Sequence, residues 1–254
     1  MTEVLIGDVP GEFVSPGTSP SAAVLLLHGT ASQRDEVGGL YTRLAAALAE
    51  RGIASLRIDF AGCGESGRPQ TDFTVTSELA DAAAAVAWLQ SQPAVSPDRV
   101  AVLGMSQGGM IALLLAASDP SLSGLVTWSA GVLTPSELSS AFPGLLADGA
   151  PSAVVDLGYR RFEFSRQWLE EFRSMDLAGA ALDLRMSLLA VCGSADTVVD
   201  PAASLRLVSG VESADRTLVQ LPDADHVFNV LSNDAVAQRL LAVTTDWLVA
   251  TLAG

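Results

Sequence analysis

Three side chains, far apart along the chain, could together cleave an acyl bond. They are Ser106 within Gly104-Met105-Ser106-Gln107-Gly108, Asp196 within Gly193-Ser194-Ala195-Asp196, and His226 within Ala224-Asp225-His226. A serine hydroxyl is a weak nucleophile at neutral pH. It needs a base to take its proton and a third group to hold that base in one tautomer. His226 is the only histidine after the serine, which makes it the candidate base. His28 precedes the serine and is followed by Gly29, which suits a loop shaping an oxyanion pocket; it reads as a structural hydrogen-bonder, with catalytic base as the alternative. For the acid, Asp196 follows an apolar run and a glycine turn. Asp200, just before Pro201, reads better as a helix start, and Asp223 and Asp225 as turn residues beside His226. Acyl transfer also needs donors for the developing oxyanion, each worth about 2.7–4 kcal/mol in other enzymes. One is the N–H of Gln107, directly after the serine. The other belongs to the loop after the strand ending at His28, and by position alone it is Thr30.

These residues need elements to carry them. Val100 to Leu103 is an apolar run, bounded upstream by the turn-like Ser96-Pro97-Asp98, and Met110 to Ala117 reads as helix. Apolar strand, Gly-x-Ser-x-Gly, then helix is the context of a nucleophile elbow, whose sharp backbone requires that neighbouring side chains be absent. The alternative reading of the motif alone is a plain Gly/Ser-rich turn. Further strands are expected at Val4–Ile6, Phe13–Val14 (with Pro10-Gly11 as the turn between them), Ala22–Leu27, Ile53–Ile58, Leu125–Trp128, Leu188–Cys192 and Thr217–Leu221. Helices are marked by Leu40, Leu44 and Leu48; by Leu79, Ala83, Val86 and Leu89; and by Val236, Leu240, Val243 and Trp247. The alternation predicts an α/β fold with a mostly parallel sheet covered on both faces, and functional residues just past the carboxyl ends of the strands. Thr30, Ser106, Asp196 and His226 all fall there.

The alternation breaks from 131 to 183. This stretch is expected to be a small lid inserted into a core formed by 1–130 and 184–254. Thr134-Pro135-Ser136-Glu137 reads as a capping box opening a helix to Leu146, Leu157 to Phe164 as a hairpin, and Trp168, Phe172 and Met175 as another helix. Phe142, Tyr159, Phe162, Phe164, Trp168 and Phe172 could line a substrate pocket or pack the insert's own core.

Composition narrows the function. The chain has 254 residues, 49% of them hydrophobic, enough for a sizeable core. The formal charge of -15 argues against nucleic acid or an anionic membrane as partner. All basic residues are arginine, and a chain without lysine has no Schiff-base lysine, no pyridoxal-phosphate anchor and no Walker-type loop. The glycine-rich Asp59 to Gly67 turn fits neither a dinucleotide fingerprint nor a P-loop. Two scattered cysteines and two histidines make a disulfide framework or a zinc site improbable, so neither cofactor nor metal is expected. Cys192 reads as a core residue and Cys63 as unreactive. With no basic leader and no long apolar segment, the expectation is a cytoplasmic protein. The ordered trio at strand ends makes a small-molecule ester its expected partner, and a monomer or homodimer is expected.

The chain resembles the α/β-hydrolase family and, within it, the bacterial cinnamoyl and feruloyl esterases. The resemblance spans about Ala22 to Leu248. It is carried by His28-Gly29-Thr30 with Glu36, Ile58-Asp59-Phe60-Ala61-Gly62-Cys63-Gly64-Glu65-Ser66, Gly104-Met105-Ser106-Gln107-Gly108-Gly109, Gly193 to Val199, Ala224-Asp225-His226 and Thr244-Thr245-Asp246-Trp247-Leu248. The resemblance implies a serine carboxylesterase with Ser106, Asp196 and His226 as triad and Thr30 with Gln107 as oxyanion donors. Thr30 stands where these esterases often carry an aromatic. The same triad could instead serve a thioesterase, peptidase or carbon–carbon hydrolase, and the fold could serve a binding protein without turnover.

Overall fold

The computed structural model describes residues 1–17, 19–147, 149–212 and 215–253. The chain runs β1 (Thr2–Ile6), β2 (Val9–Val14), β3 (Ser21–Leu27), α1 (Leu40–Glu50), β4 (Ala54–Ile58), α2 (Val75–Ser91), β5 (Val95–Met105), α3 (Gln107–Ser118) and β6 (Gly124–Trp128). The insert follows, with α4 (Pro135–Ser140), β7 (Ser152–Asp156), β8 (Arg161–Ser165), α5 (Arg166–Arg173) and α6 (Leu177–Asp183). The chain closes with β9 (Ser187–Gly193), α7 (Ala202–Gly210), β10 (Arg216–Leu221) and α8 (Asp234–Leu252). Among the described residues, eight strands form one sheet in the order β1-β2-β4-β3-β5-β6-β9-β10, while β7 and β8 pair separately. From β4 to β10 the pairings in the large sheet are parallel, while β2 pairs antiparallel with both β1 and β4.

The central strands read as unbroken apolar runs because both faces are covered. Along β3, Ala23, Leu25 and Leu27 join the core under α2, α3 and the insert, while Ala22, Val24 and Leu26 join the core under α1 and α8. α1 packs beside α8, and α2, α3, α6 and α7 follow one another across the opposite face. The strand order reverses direction beside β3 and β5. Such a switch point opens a crevice at the carboxyl ends of the strands.

Several local expectations shift. The β1–β2 turn lies at Gly7-Asp8, where Gly7 has φ 64, and Pro10-Gly11 sits inside β2. Gly11 is needed there because a Cβ would come within 2.9 Å of the Arg57 carbonyl on β4. Ser96-Pro97-Asp98 falls within β5 as an irregularity, the register with β3 jumping between Ser21/Val95 and Ala23/Val100. The capping box at Thr134 forms as expected, but α4 ends at Ser140, before Phe142 with φ 54 and the following Pro143. The hairpin's first strand lies upstream of Leu157, which instead begins its turn.

Candidate active site

Ser106 sits between the end of β5 and the first residue of α3 with φ 52 and ψ -123. A non-glycine residue there is strained, and the surroundings hold it. The Ser106 N–H donates to Trp128 O on β6 at 2.8 Å. The glycines around it permit close approach. A Cβ on Gly104 would overlap the Gly108 carbonyl, and one on Gly108 would overlap the carbonyls of Leu27 and His28, so α3 could not start so near β3 and β5.

His226 lies in the loop after β10, and its Nε2 is 3.1 Å from Ser106 Oγ. Its Nδ1 is 2.8 Å from Asp196 Oδ2, in the loop after β9. A carboxylate can only accept, so Nδ1 carries the proton and Nε2 is left to accept from the serine hydroxyl. Asp196 Oδ1 accepts from the N–H groups of Val198 at 2.8 Å and Val199 at 3.0 Å. Burial raises the Asp196 carboxyl, but the His226 hydrogen bond and charge, together with these two N–H groups, outweigh it and hold the group below its ordinary range. Two of the other candidate acids are engaged elsewhere. Asp200 Oδ1 accepts from Ala202 N at the start of α7, and Asp225 Oδ1 accepts from Val227 N and Asn229 N.

His28 is fully buried and points away from this trio. Its Nδ1 donates to Gly29 O at 2.8 Å, and its Nε2 accepts from Phe60 N at 3.1 Å, which fixes a neutral tautomer; burial lowers its pKa. Glu36 accepts from Gly29 N with Oε1 and from Val37 N with Oε2. Between these anchors lies Thr30. Among the described residues neither the Thr30 N–H nor the Gln107 N–H has a protein acceptor. The side chains of these two residues are also joined: Thr30 Oγ1 donates to Gln107 Oε1 at 3.0 Å, and Gln107 Nε2 donates to Glu78 Oε2 at 2.5 Å. Glu78 is a fully buried residue of α2 that sequence reasoning missed. The signal was its place at helical spacing between Val75 and Ala82, both buried, while Ala83, expected on that face, is exposed.

The trio opens into a cavity of about 810 Å³. Its walls include Val37, Met105, Phe142, Leu157, Val198 and Leu231, with Tyr159 and Arg160 from the hairpin tip. The insert's aromatics therefore divide. Tyr159 faces the cavity, Phe162, Phe164, Trp168 and Phe172 form a ring cluster that Phe73 of the core joins through Phe162 and Trp168, and Phe142 does both, lining the cavity while its ring packs against Phe164, Trp168 and Phe172. Both cysteines are buried, and burial pushes each thiol upward, Cys63 strongly. Among the described residues no group of three or more His, Cys, Asp or Glu is arranged to hold a metal ion. No helix among them is long and apolar enough to cross a membrane.

A family model described as serine aminopeptidase, S33, matches residues 18–176, more than half of the chain. The chain belongs to this family of hydrolases. An uncharacterized protein of Mycobacterium tuberculosis strain H37Rv is 30% identical over 213 residues, covering 84% of this chain and 64% of the relative. The dipeptidyl aminopeptidase BIII of Pseudoxanthomonas mexicana is 29% identical over 249 residues, covering 93% of this chain and 34% of that enzyme. The chain thus spans just under two thirds of the mycobacterial relative's length and about one third of the aminopeptidase's. Among solved structures, the esterase domain of a Rhodothermus marinus protein is 27% identical with TM-score 0.73, covering 96% of this chain and 93% of that one. Est1E from Butyrivibrio proteoclasticus with ferulic acid bound is 18% identical with TM-score 0.85, covering both chains fully, a likeness of fold. The architecture is that of the α/β hydrolases, as the resemblance implied.

Proposed function

We propose that the chain is a serine carboxylic-ester hydrolase working through an acyl-enzyme. The observation that carries this reading is the unbroken contact from Asp196 through His226 to Ser106 at the mouth of an apolar cavity. Ser106 Oγ attacks the ester carbonyl carbon as its proton passes to His226 Nε2. The carbonyl oxygen becomes an oxyanion facing the free N–H groups of Thr30 and Gln107, where the start of α3 adds its dipole. When the C–O bond breaks, His226 returns the proton to the leaving alcohol. Water then repeats the sequence on the acyl-enzyme and releases the acid. Asp196, held ionised, keeps the imidazole in the required tautomer throughout.

The aromatic and aliphatic walls favour small aryl or feruloyl-type esters. Residues 131–183 act as a lid over a core of 1–130 and 184–254, since Phe142, Leu157 and Tyr159 of this stretch wall the cavity. A peptidase reading is supported by the family's description and by the Pseudoxanthomonas relative. The test is turnover of p-nitrophenyl butyrate beside aminoacyl p-nitroanilides, with Ser106→Ala as control. The ester should be the better substrate, and Ser106→Ala should lower kcat on the order of a million-fold, as loss of the nucleophile does elsewhere. Full activity in Ser106→Ala would end the mechanism; preference for the anilide would replace the substrate class.

A further inference from the structure

The hairpin tip touches the loop that carries Thr30 in an unusual way. Tyr159 Oη donates to Thr30 O at 2.8 Å. The Arg160 guanidinium, through one nitrogen, donates to Ala31 O at 2.8 Å and to Ser32 O at 3.2 Å. Three consecutive carbonyls of the loop are thus held by two consecutive side chains, about 130 residues away in sequence. Such contacts matter because the loop is strained: Ala31, a non-glycine residue, has φ 51.

The peptide that presents the Thr30 N–H is already fixed at its other end, where Gly29 O accepts from His28 Nδ1 at 2.8 Å and from Ser32 N at 3.1 Å. The next peptide, ending in Thr30 O, is fixed by Tyr159. Only the two backbone torsions of Thr30 lie between these planes, so holding both planes holds the direction of the N–H. The tip itself is firmly mounted. Its turn is closed by Leu157 N to Arg160 O at 2.9 Å, and the Arg160 guanidinium lies over the Phe162 ring at 5.3 Å. Phe162 in turn packs edge-on against Phe73 of the core, and Glu163 N donates to Gln70 Oε1.

We propose that Tyr159 and Arg160 are positioning residues that lock the oxyanion loop, so that the inserted hairpin, besides walling the cavity, sets the aim of the Thr30 donor. This rests on the ester-hydrolase reading of Ser106, Asp196 and His226. It assigns the insert a part in the chemical step and not only in substrate choice. An interaction realised mainly as charge develops on the carbonyl oxygen affects kcat more than KM.

The test uses the full chain with p-nitrophenyl butyrate and a fluorophosphonate probe. Tyr159→Phe keeps the ring and removes one donor, and Arg160→Met keeps the stem and removes the others. Each should lower kcat about tenfold with KM within about twofold, and the double variant should lose more. The rate of labelling by the fluorophosphonate should fall in parallel, because its phosphoryl oxygen uses the same donors. Unchanged kcat, or a raised KM with kcat preserved, would overturn the proposal and leave the tip as cavity wall. A wild-type chain that neither turns over the ester nor takes the label would instead overturn the hydrolase reading beneath it.

Discussion

Glu78 is the residue whose surroundings conflict most with its chemistry. It is fully buried, accepts from Gln107 Nε2 through Oε2, and has no partner for Oε1 among the described residues. Burial pushes its carboxyl well above the ordinary value, with the Gln107 bond acting the other way. The stability consequence has a definite sign. A carboxyl whose folded value is raised contributes stability that is fully present below the unfolded value, about 4.3, and is progressively lost as pH rises toward the folded value. Glu78→Gln preserves an acceptor for Gln107 and removes the titration. In urea melts it should be more stable than wild type at pH 8, with an advantage that shrinks to about zero near pH 4. An advantage independent of pH would mean that the carboxyl does not titrate differently on folding.

At the scale of elements, the elbow depends on what lies behind it. β6 receives the Ser106 N–H through Trp128 O, and Trp128 is fully buried against α8, its Nε1 donating to Thr244 Oγ1 at 3.0 Å. The neighbouring Thr245 is also buried, but its hydroxyl has no partner among the described residues. Two substitutions of the same shape should therefore behave differently. Thr244→Val strands the indole N–H and should cost about 1–3 kcal/mol in urea denaturation, whereas Thr245→Val should be neutral or slightly stabilising. Equal effects would show that the Trp128 bond does not tie β6 to α8. The α8 face itself is centred on Ala237, Leu240, Leu241, Thr244 and Leu248. Val236, Val243 and Trp247, counted on it from spacing, are half-buried at its side.

For the whole molecule, the formal charge of -15 bears on which substrates arrive. A neutral ester approaches without penalty, while a polyanionic acyl donor meets repulsion that salt screens over about 8–10 Å at ordinary ionic strength. If an acyl-CoA thioester is turned over at all, its kcat/KM should rise several-fold between about 10 mM and 200 mM salt, with that of p-nitrophenyl butyrate nearly constant. A salt response shared by both substrates would locate the effect in the protein and not in their encounter.

At this same scale, the order of strands and helices and the places where Thr30, Ser106, Asp196 and His226 fall could be read from the chain. Buried parallel strands have to be apolar runs, and a sharp strand-to-helix turn has to be glycine-flanked. Spacing placed each candidate at a strand end, which is a local property. Which acid meets the imidazole is not local: Asp196, Asp200, Asp223 and Asp225 were all conceivable, and only the packing of the β9 and β10 loops brings Asp196 to 2.8 Å from His226. The same holds for Glu78, an ordinary charged letter until α2 turns it inward beneath Gln107, and for Tyr159 and Arg160, which reach Thr30, Ala31 and Ser32 because the insert folds back over the sheet. Sequence patterns record which face each segment must bury. Contacts between polar groups distant along the chain leave no periodic trace, because one hydrogen bond constrains one residue on each side and nothing around it.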